Sequence, residues 1–253
     1  MARLIDTLIA RILTEEVALR ACRARLQAGT DPEALHDLRV SLRRLRSLLR
    51  PLKALPMVQP LTEAARAVGG LGGPLRDLEV LCGELRRQGQ AGAAERRARQ
   101  VRQGYQDLLA SQALGGLFIA LDALPSFWRL MQREGRLRGL RKRVRKRLAA
   151  QCRRLREALD DPGYDRHRLR LLIKRVRYGA EAYPGLLALD PSLPRLLKAA
   201  QSEIGDWHDC HQWLLRAERE ADLAPCQDAW RRRQRAASKR AETAIRRLRA
   251  ALG

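Results

Sequence analysis

The stretch at residues 34–50, "ALHDLRVSLRRLRSLLR", decides the fold class, because it predicts an amphipathic helix with two contrasting sides. At about 100° per residue, four leucines fall within one arc of roughly 60°. That apolar arc comprises Leu38, Leu42, Leu45 and Leu49. A neighbouring arc of similar width is basic and comprises Arg39, Arg43, Arg46 and Arg50, with His36 at its edge. The pattern predicts a helix that packs on a core and presents a strongly cationic surface.

The basic arc lacks the acidic residues that usually alternate with arginine on a helix, since none occurs between residues 38 and 62. Like charges four residues apart cost a few tenths of a kcal/mol each on an exposed helix. A bound anion would offset that cost, because two unit charges 4 Å apart interact by about 1 kcal/mol in water and about 4 at an effective dielectric constant of 20. The alternative is a solvated face whose apolar stems cover the core.

The composition points in the same direction. The 253 residues carry a formal net charge of +23, which indicates an anionic partner: nucleic acid, an acidic membrane surface or an inorganic polyanion. Only six of the 51 basic residues are lysines, and arginine binds phosphate oxygens bidentately. Codon bias in a GC-rich genome is an alternative cause of the high arginine share, but it does not explain the net charge.

Helical periodicity runs nearly from end to end, and aromatic residues make up only 4% of the chain. Both features favour an all-α fold built from helical hairpins gathered into bundles. We expect "GGLGGP" at 69–74 and "ALPS" at 123–126 to be turns between helices, and residues 126–159 to form one helix.

Five widely spaced cysteines without a CxxC pair predict reduced thiols and a cytoplasmic location. The N-terminal segment lacks the uninterrupted apolar core of a signal peptide. No apolar run approaches the roughly 20 residues that cross a bilayer, so we expect no membrane span.

The chain also repeats itself. Residues 36–49 align with residues 167–180, "HRLRLLIKRVRYGA", so that His36 matches His167 and Arg39 matches Arg170. The second copy predicts the same two sides, with Leu169, Ile173, Val176 and Ala180 as its apolar stripe. A later segment repeats as well: "LGGPLRDLEVL" at 71–81 resembles "IGDWHDCHQWL" at 204–214, pairing Gly72 with Gly205 and, after a one-residue offset, Asp77 with Asp209. We therefore expect two related helical halves, residues 1–122 and 123–253.

The His-x-Leu-Arg-Val-x-x-Arg-Arg-Leu-Arg pattern, its second copy and the Gly…Asp segment after each copy resemble the CHAD family, the conserved histidine α-helical domain. The resemblance covers essentially the whole chain, as a single domain over residues 1–253. It implies two four-helix bundles related by a pseudo-twofold axis, with a basic face and central cavity that bind inorganic polyphosphate.

The resemblance also implies which residues bind. The first motif corresponds to His36, Arg39, Arg43, Arg44 and Arg46, and the second to His167, Arg170, Lys174, Arg175 and Arg177. Lys174 stands where the family usually has arginine, which weakens bidentate binding there. The basic arc of the first helix adds Arg50. The dense basic run at 133–159 adds Arg138, Arg141, Lys142 and Arg145, which can share one side of a helix. The alternative is a solvated face around the apolar stripe Leu137, Leu140, Val144, Leu148 and Leu155.

The histidines admit two roles. His36 and His167 are phosphate-binding or neighbouring support residues, or they pack ordinarily at helix starts. A phosphoacceptor histidine lacks an acid–base partner here. His208 and His211 have a spacing that a metal could use, and Cys210 and Cys226 are candidate thiol ligands. The CxxC pair of a usual zinc site is missing, so we expect no metal.

These observations predict a non-catalytic protein without a cofactor that binds inorganic polyphosphate in a basic groove lined by the two His-x-Leu-Arg helices. We expect it at polyphosphate granules or with polyphosphate-metabolising enzymes. The Glu-x-Glu-x-Lys strand of the triphosphatase domain often fused to this family is absent from the sequence. The alternative is a nucleic-acid-binding protein that uses the same surface, although no aromatic stacking platform accompanies the basic helices. A third hypothesis is a scaffold that docks an acidic protein.

Overall fold

A computed structural model describes residues 2–187 and 189–252, and throughout these ranges the chain is all-α, as predicted. Two short 3₁₀ helices accompany the α-helices, at Arg50–Leu52 and Ala221–Cys226. The α-helices are α1 Ala2–Ala28, α2 Ala34–Leu49, α3 Val58–Arg87, α4 Ala91–Ala110, α5 Gln112–Arg133, α6 Leu140–Asp160, α7 Arg166–Ala182, α8 Leu193–Ala217 and α9 Gln227–Leu252.

The helices form two compact units, Met1–Val144 (unit 1) and Arg145–Gly253 (unit 2). In unit 1, α2 packs against α1 and α3, while α3 also packs against α4 and α5. In unit 2, α8 packs against α7 and α9, and the end of α6 joins the same core. The duplication boundary near residue 122 and the pseudo-twofold arrangement of four-helix bundles stay predictions.

The leucine arc of α2 is confirmed as a core face. Leu38, Leu45 and Leu49 are fully buried and Leu42 is 2% exposed. Burying one leucine contributes about 1.5–3 kcal/mol. The arc therefore fixes the rotation of α2, and with it the direction in which the arginines point.

The prediction of a turn at "GGLGGP" is wrong, because α3 runs straight through residues 69–74 with Pro74 inside it. Glycine costs about 1 kcal/mol in a helix interior, and proline removes one backbone hydrogen bond. Burial along one side of α3 outweighs this cost. The buried side chains keep helical spacing up to and through the glycines, at Val58, Leu61, Ala65, Val68 and Gly72.

The "ALPS" turn is also wrong, because α5 continues through Pro125. Its buried residues include Leu117, Leu121, Leu124, Trp128 and Met131, which again keep one helical face. By length and composition, α5 is the one described helix long and apolar enough to cross a membrane, and the expectation of no membrane span stays a prediction. In unit 1 it packs against α1 and α3 as a core helix.

The single helix expected over residues 126–159 is two helices, α5 and α6. Gly135 and Gly139 lie between them, both with φ of 70°, a left-handed conformation that glycine adopts without steric cost. The apolar stripe predicted for this region is nevertheless buried, from Leu137 and Leu140 onward to Leu155. The break therefore changes the direction of the chain without removing the segment from the core.

The five cysteines are present as thiols. Cys22 and Cys82 are buried in unit 1, Cys210 and Cys226 are buried in unit 2, and Cys152 is half-buried. Burial raises the pKa of Cys22, Cys82 and Cys152 above that of an exposed thiol. These thiols therefore pack as small apolar side chains.

Candidate anion-binding site

The basic arc of α2 borders the core face of unit 1. We call the set formed by His36, Arg39, Arg43, Arg44, Arg46 and Arg50 the α2 strip. Arg44 is exposed, and the other five are half-buried. Arg50 lies one residue beyond α2, and its backbone N–H still donates to the carbonyl of Arg46. The strip is therefore continuous along the helix.

Glycines of α3 let the α2 strip lie close to the α3 backbone. The nearest atom to a side chain built at Gly73 would be Nη1 of Arg39, at 3.2 Å, and the nearest at Gly69 would be Nη1 of Arg46, at 3.8 Å. Gly72 faces Leu35 at 3.4 Å and the Arg39 Cγ atom at 4.0 Å. The glycines predicted to form a turn instead make room for two guanidinium groups along a helix.

Arg39 of the α2 strip is half-buried among other cations. Burial lowers the pKa of its guanidinium, Asp77 acts in the opposite direction, and the neighbouring cations Arg43 and Arg76 lower the pKa further. Among the described residues no carboxylate forms an ion pair with Arg39. An anion bound here would relieve both the desolvation and the repulsion.

One carboxyl group of α1 lies beside the α2 strip. Glu15 is 8% exposed, and burial raises its pKa, while Arg44 and a hydrogen bond from Ser41 lower it. Glu15 therefore offsets part of the charge of Arg44. It does not appear among the charges that act on Arg39.

The second basic arc lies on α7 in unit 2. We call His167, Arg170, Lys174, Arg175 and Arg177 the α7 strip. His167 and Arg175 are exposed, and the other three are half-buried. The apolar side of α7 is confirmed as a core face by the burial of Leu169, Ile173 and Val176.

Arg177 of the α7 strip is engaged in several contacts within the protein. Its Nε donates to Glu181 at 2.9 Å and its Nη1 donates to Gln201 at 3.2 Å. Its guanidinium also lies 4.9 Å from the centre of the Tyr178 ring. Arg177 therefore has less of its charge available to a ligand than Arg39 has.

The other end of the α7 strip meets a histidine of α8. The ring centres of His167 and His208 are 5.0 Å apart, and a side chain at Gly205 would lie 3.8 Å from Nη2 of Arg170. This Arg170–Gly205 contact is the counterpart of the contact between Arg39 and Gly72, which agrees with the predicted alignment of the two repeats. The sequence motif does not include His208 among the anion-binding residues.

The ring of Trp207 contacts two side chains. Its ring stacks on His211, with centres 5.4 Å apart and planes 9° apart, and the Arg166 guanidinium lies 4.9 Å from the ring centre. Arg166 in turn donates to Ser238 at 2.9 Å. These two contacts engage the half-buried Trp207 ring and reduce the surface that it offers to a nucleobase.

The third predicted basic group divides between a turn and a helix. Arg138 lies in the turn before α6, so the expectation that it shares one side of a helix with the others is wrong. The physical reason is that Gly135 and Gly139, both with positive φ, interrupt the helix on either side of Arg138. Arg141, Lys142 and Arg145 lie in the first turns of α6, and all four cations are exposed. Their part in binding stays a prediction.

The structure shows no candidate metal site among the described residues. In these ranges, no three His, Cys, Asp or Glu side chains lie close enough together to hold an ion. Cys210 and Cys226, the candidate thiols, are buried. His208 instead lies among cations, where a metal ion would be repelled.

Comparison with known proteins places this geometry in context. A family model described as the CHAD domain matches residues 11–218. The described fold is similar to the crystal structure of the CHAD domain from the plant Ricinus communis, with a TM-score of 0.73. The two sequences are 22% identical, and the alignment covers 98% of this chain and 91% of that one. A search of curated protein sequences found no match.

Proposed function

The chain belongs to the CHAD family, a family associated with polyphosphate binding, and on that premise we propose that it binds inorganic polyphosphate without catalysing a reaction on it. The α2 and α7 strips are the proposed binding elements. The observation that carries the proposal is Arg39, a half-buried guanidinium that lies against a glycine-lined helix without a carboxylate partner among the described residues.

Linear polyphosphate matches such a strip in charge and shape. Its repeating anionic oxygens would meet guanidinium groups that recur along one helix face, and charge-assisted hydrogen bonds of this kind contribute about 1.5–3 kcal/mol each. The buried leucines of α2 hold the helix that carries the strip in place. Rigid placement lowers the entropic cost of binding.

A competition titration tests the proposal. The full chain is titrated with long-chain polyphosphate, RNA and duplex DNA at matched phosphate concentration and ionic strength. We expect polyphosphate to bind at least tenfold more tightly than either nucleic acid, since the described strips offer cations without an accompanying stacking surface. Tighter binding of RNA or DNA would overturn the proposal and favour the nucleic-acid alternative.

Salt dependence provides a second readout. Binding that neutralises several phosphates releases their counterions, so the logarithm of the affinity should fall linearly with the logarithm of the salt concentration. That relation was established for nucleic acids and applies to any linear polyelectrolyte. An affinity independent of salt would contradict the proposed contacts.

The non-catalytic part of the proposal has its own test. Prolonged incubation of the protein with polyphosphate should release no orthophosphate and leave the chain length unchanged. We also propose a cytoplasmic protein associated with polyphosphate granules or with polyphosphate-metabolising enzymes. A fluorescent fusion should then lose its granular distribution when the charges of the α2 strip are removed.

A further inference from the structure

His208 lies where the α7 strip meets α8, yet no part of the predicted motif includes it. Its ring is half-buried, 5.0 Å from the ring of His167 and 6.5 Å from that of Trp207, measured between centres. His208 forms no hydrogen bond with the described residues. Its imidazole is therefore a polar group next to the strip that the protein itself leaves available.

Basic side chains surround this imidazole. Arg170, Lys174 and His167 of α7 act on it electrostatically, as does His211 of its own helix. Burial lowers the pKa of His208 most, these four groups lower it further, and the result is about 4. In the free protein, His208 is therefore neutral at pH 6–7.

The other helix packed on α8 contributes little to the charge at His208. Arg240 of α9 is engaged with acidic residues of α8: its Nε donates to Glu203 at 2.7 Å and its Nη2 donates to Asp206 at 3.4 Å. Asp206 and Asp209 flank His208 in sequence, and neither appears among the main charges that act on it. The electrostatic environment of His208 is thus set chiefly by the α7 strip.

A bound polyanion would reverse that environment. Phosphate oxygens that engage Arg170 and Lys174 would bring several negative charges into the space that His208 shares with them. An opposite charge within about 4–6 Å favours the cationic form of histidine. The same imidazole would then gain a proton and donate a charge-assisted hydrogen bond to the ligand.

We propose, on the basis of the proposed function, that His208 is a further phosphate-binding residue of unit 2, and that it binds polyphosphate as an imidazolium, so that ligand binding takes up a proton. Unit 1 has Arg76 at the aligned position, one residue before Asp77. Arg76 is permanently cationic and forms ion pairs with Glu79 at 2.9 Å and with Glu33 at 3.7 Å. The aligned site of unit 1 therefore lacks the proton-dependent step.

Linkage gives the direction of the effect. If the ligand prefers protonated His208, affinity rises as pH falls from the pKa of the bound state towards about 4, the pKa of the free state. One linked proton changes the dissociation constant by at most tenfold per pH unit. Below pH 4 the dependence on His208 ends, because the free protein is then protonated as well.

Calorimetry tests the proposal directly. The full chain is titrated with long-chain polyphosphate between pH 4.5 and 6.5 in buffers of different ionisation enthalpy, which yields the number of protons taken up. We expect His208→Gln to take up fewer protons than the unsubstituted chain and to lose part of the pH dependence. Protons exchanged by the ligand itself cancel in this comparison.

The matched control is His211→Gln, on the same helix. His211 is stacked on Trp207, so its replacement should leave most of the proton uptake intact. A second measurement does not depend on whether the variants fold. The His208 ring signal is followed by NMR in the unsubstituted chain, with and without polyphosphate. The midpoint of its titration should move up from about 4 when the ligand is present.

The outcomes separate the two proposals. Absence of polyphosphate binding at every pH overturns the proposed function. Binding that takes up the same number of protons in His208→Gln as in the unsubstituted chain leaves the proposed function standing and overturns the role of His208. An NMR midpoint that polyphosphate does not move has the same consequence.

Discussion

The two basic strips occupy equivalent places in the repeat, but they differ in chemistry. The α2 strip consists of His36 and five arginines next to a helix with glycine at three contact positions, and Arg39 forms no ion pair with a carboxylate among the described residues. The α7 strip contains a lysine, meets a titratable histidine and has Arg177 already bonded to Glu181. The two strips thus share a cationic helix face and differ in ionisation behaviour.

Removing charge from each strip should give the largest difference in polyphosphate affinity between the two strips. We expect the triple variant Arg39→Ala, Arg43→Ala and Arg46→Ala to weaken polyphosphate binding at least 100-fold, since each charge-assisted contact contributes about 1.5–3 kcal/mol. The double variant Arg170→Ala and Arg177→Ala should lose only about tenfold, because Arg177 is partly neutralised by Glu181. Calorimetric titration at fixed ionic strength measures both losses.

Exposed arginines outside the strips serve as controls for these variants. Arg99→Ala on α4 and Arg219→Ala beyond α8 remove comparable charge from surface positions and should change affinity less than twofold. Equal losses per charge at all sites would mean that net charge alone governs binding, and the strips would have no special part.

The pH dependence of stability tests the contribution of His208, which distinguishes unit 2 from unit 1. An unfolded histidine has a pKa near 6.5, whereas that of folded His208 is about 4. The unfolded chain therefore binds more protons between these values, and the free energy of unfolding should decrease as pH falls from 6.5 to 4. Allowing for partial exposure of the ring, we expect His208 to contribute about 2 kcal/mol or less to that decrease.

Denaturant unfolding at several pH values, without ligand, measures this contribution. His208→Gln should show a shallower decrease than the unsubstituted chain, and all other titrating groups are shared by the two proteins. Coincident curves would contradict the depressed pKa of His208.

Glycine substitutions in α3 test the close approach that distinguishes unit 1. Gly73→Ala places a Cβ atom 3.2 Å from Nη1 of Arg39, so the guanidinium must move, and we expect about fivefold weaker binding. Gly70→Ala meets nothing within 4 Å and should leave binding unchanged. Both changes should raise helix stability by about 0.5–1 kcal/mol, as thermal unfolding can measure. Weaker binding by the Gly70 variant would indicate a general effect on α3.

The smallest expected effect concerns the type of cation. Arg43→Lys keeps the charge but loses the planar fork that contacts two phosphate oxygens, so affinity should fall about threefold. The reverse change, Lys174→Arg, should strengthen binding by unit 2 modestly. Unchanged affinity in both variants would show that the strips act as point charges, and titration under one set of salt conditions compares them.

Local periodicity was sufficient to predict the core faces of α2 and α7, because each helix encodes its own buried side. Periodicity did not predict which glycines end a helix, because Gly70 and Gly135 belong to the same class of helix-breaking residue. The first lies inside α3 and the second turns the chain with φ of 70°. Val68 and Gly72 continue the buried series of α3 on both sides of Gly70, and that continuity distinguishes the two cases.

His208 shows where sequence reasoning ends. Its proximity to His167 arises from the packing of α7 on α8, and no spacing along the chain encodes that contact. The available signal was indirect, namely its alignment with Arg76 in the repeat. The sequence could not predict the hydrogen bond from Arg177 to Gln201 for the same reason, since Gln201 lies on another helix.

The distribution of the five thiols gives each half of the molecule its own reporter. Cys22 and Cys82 are shielded within unit 1, whereas Cys210 and Cys226 are shielded within unit 2. A thiol-specific reagent can modify these positions only when the surrounding helices open. Rates of alkylation, resolved by peptide mass spectrometry, would therefore show separately how strongly a ligand protects each half against opening, without any mutation.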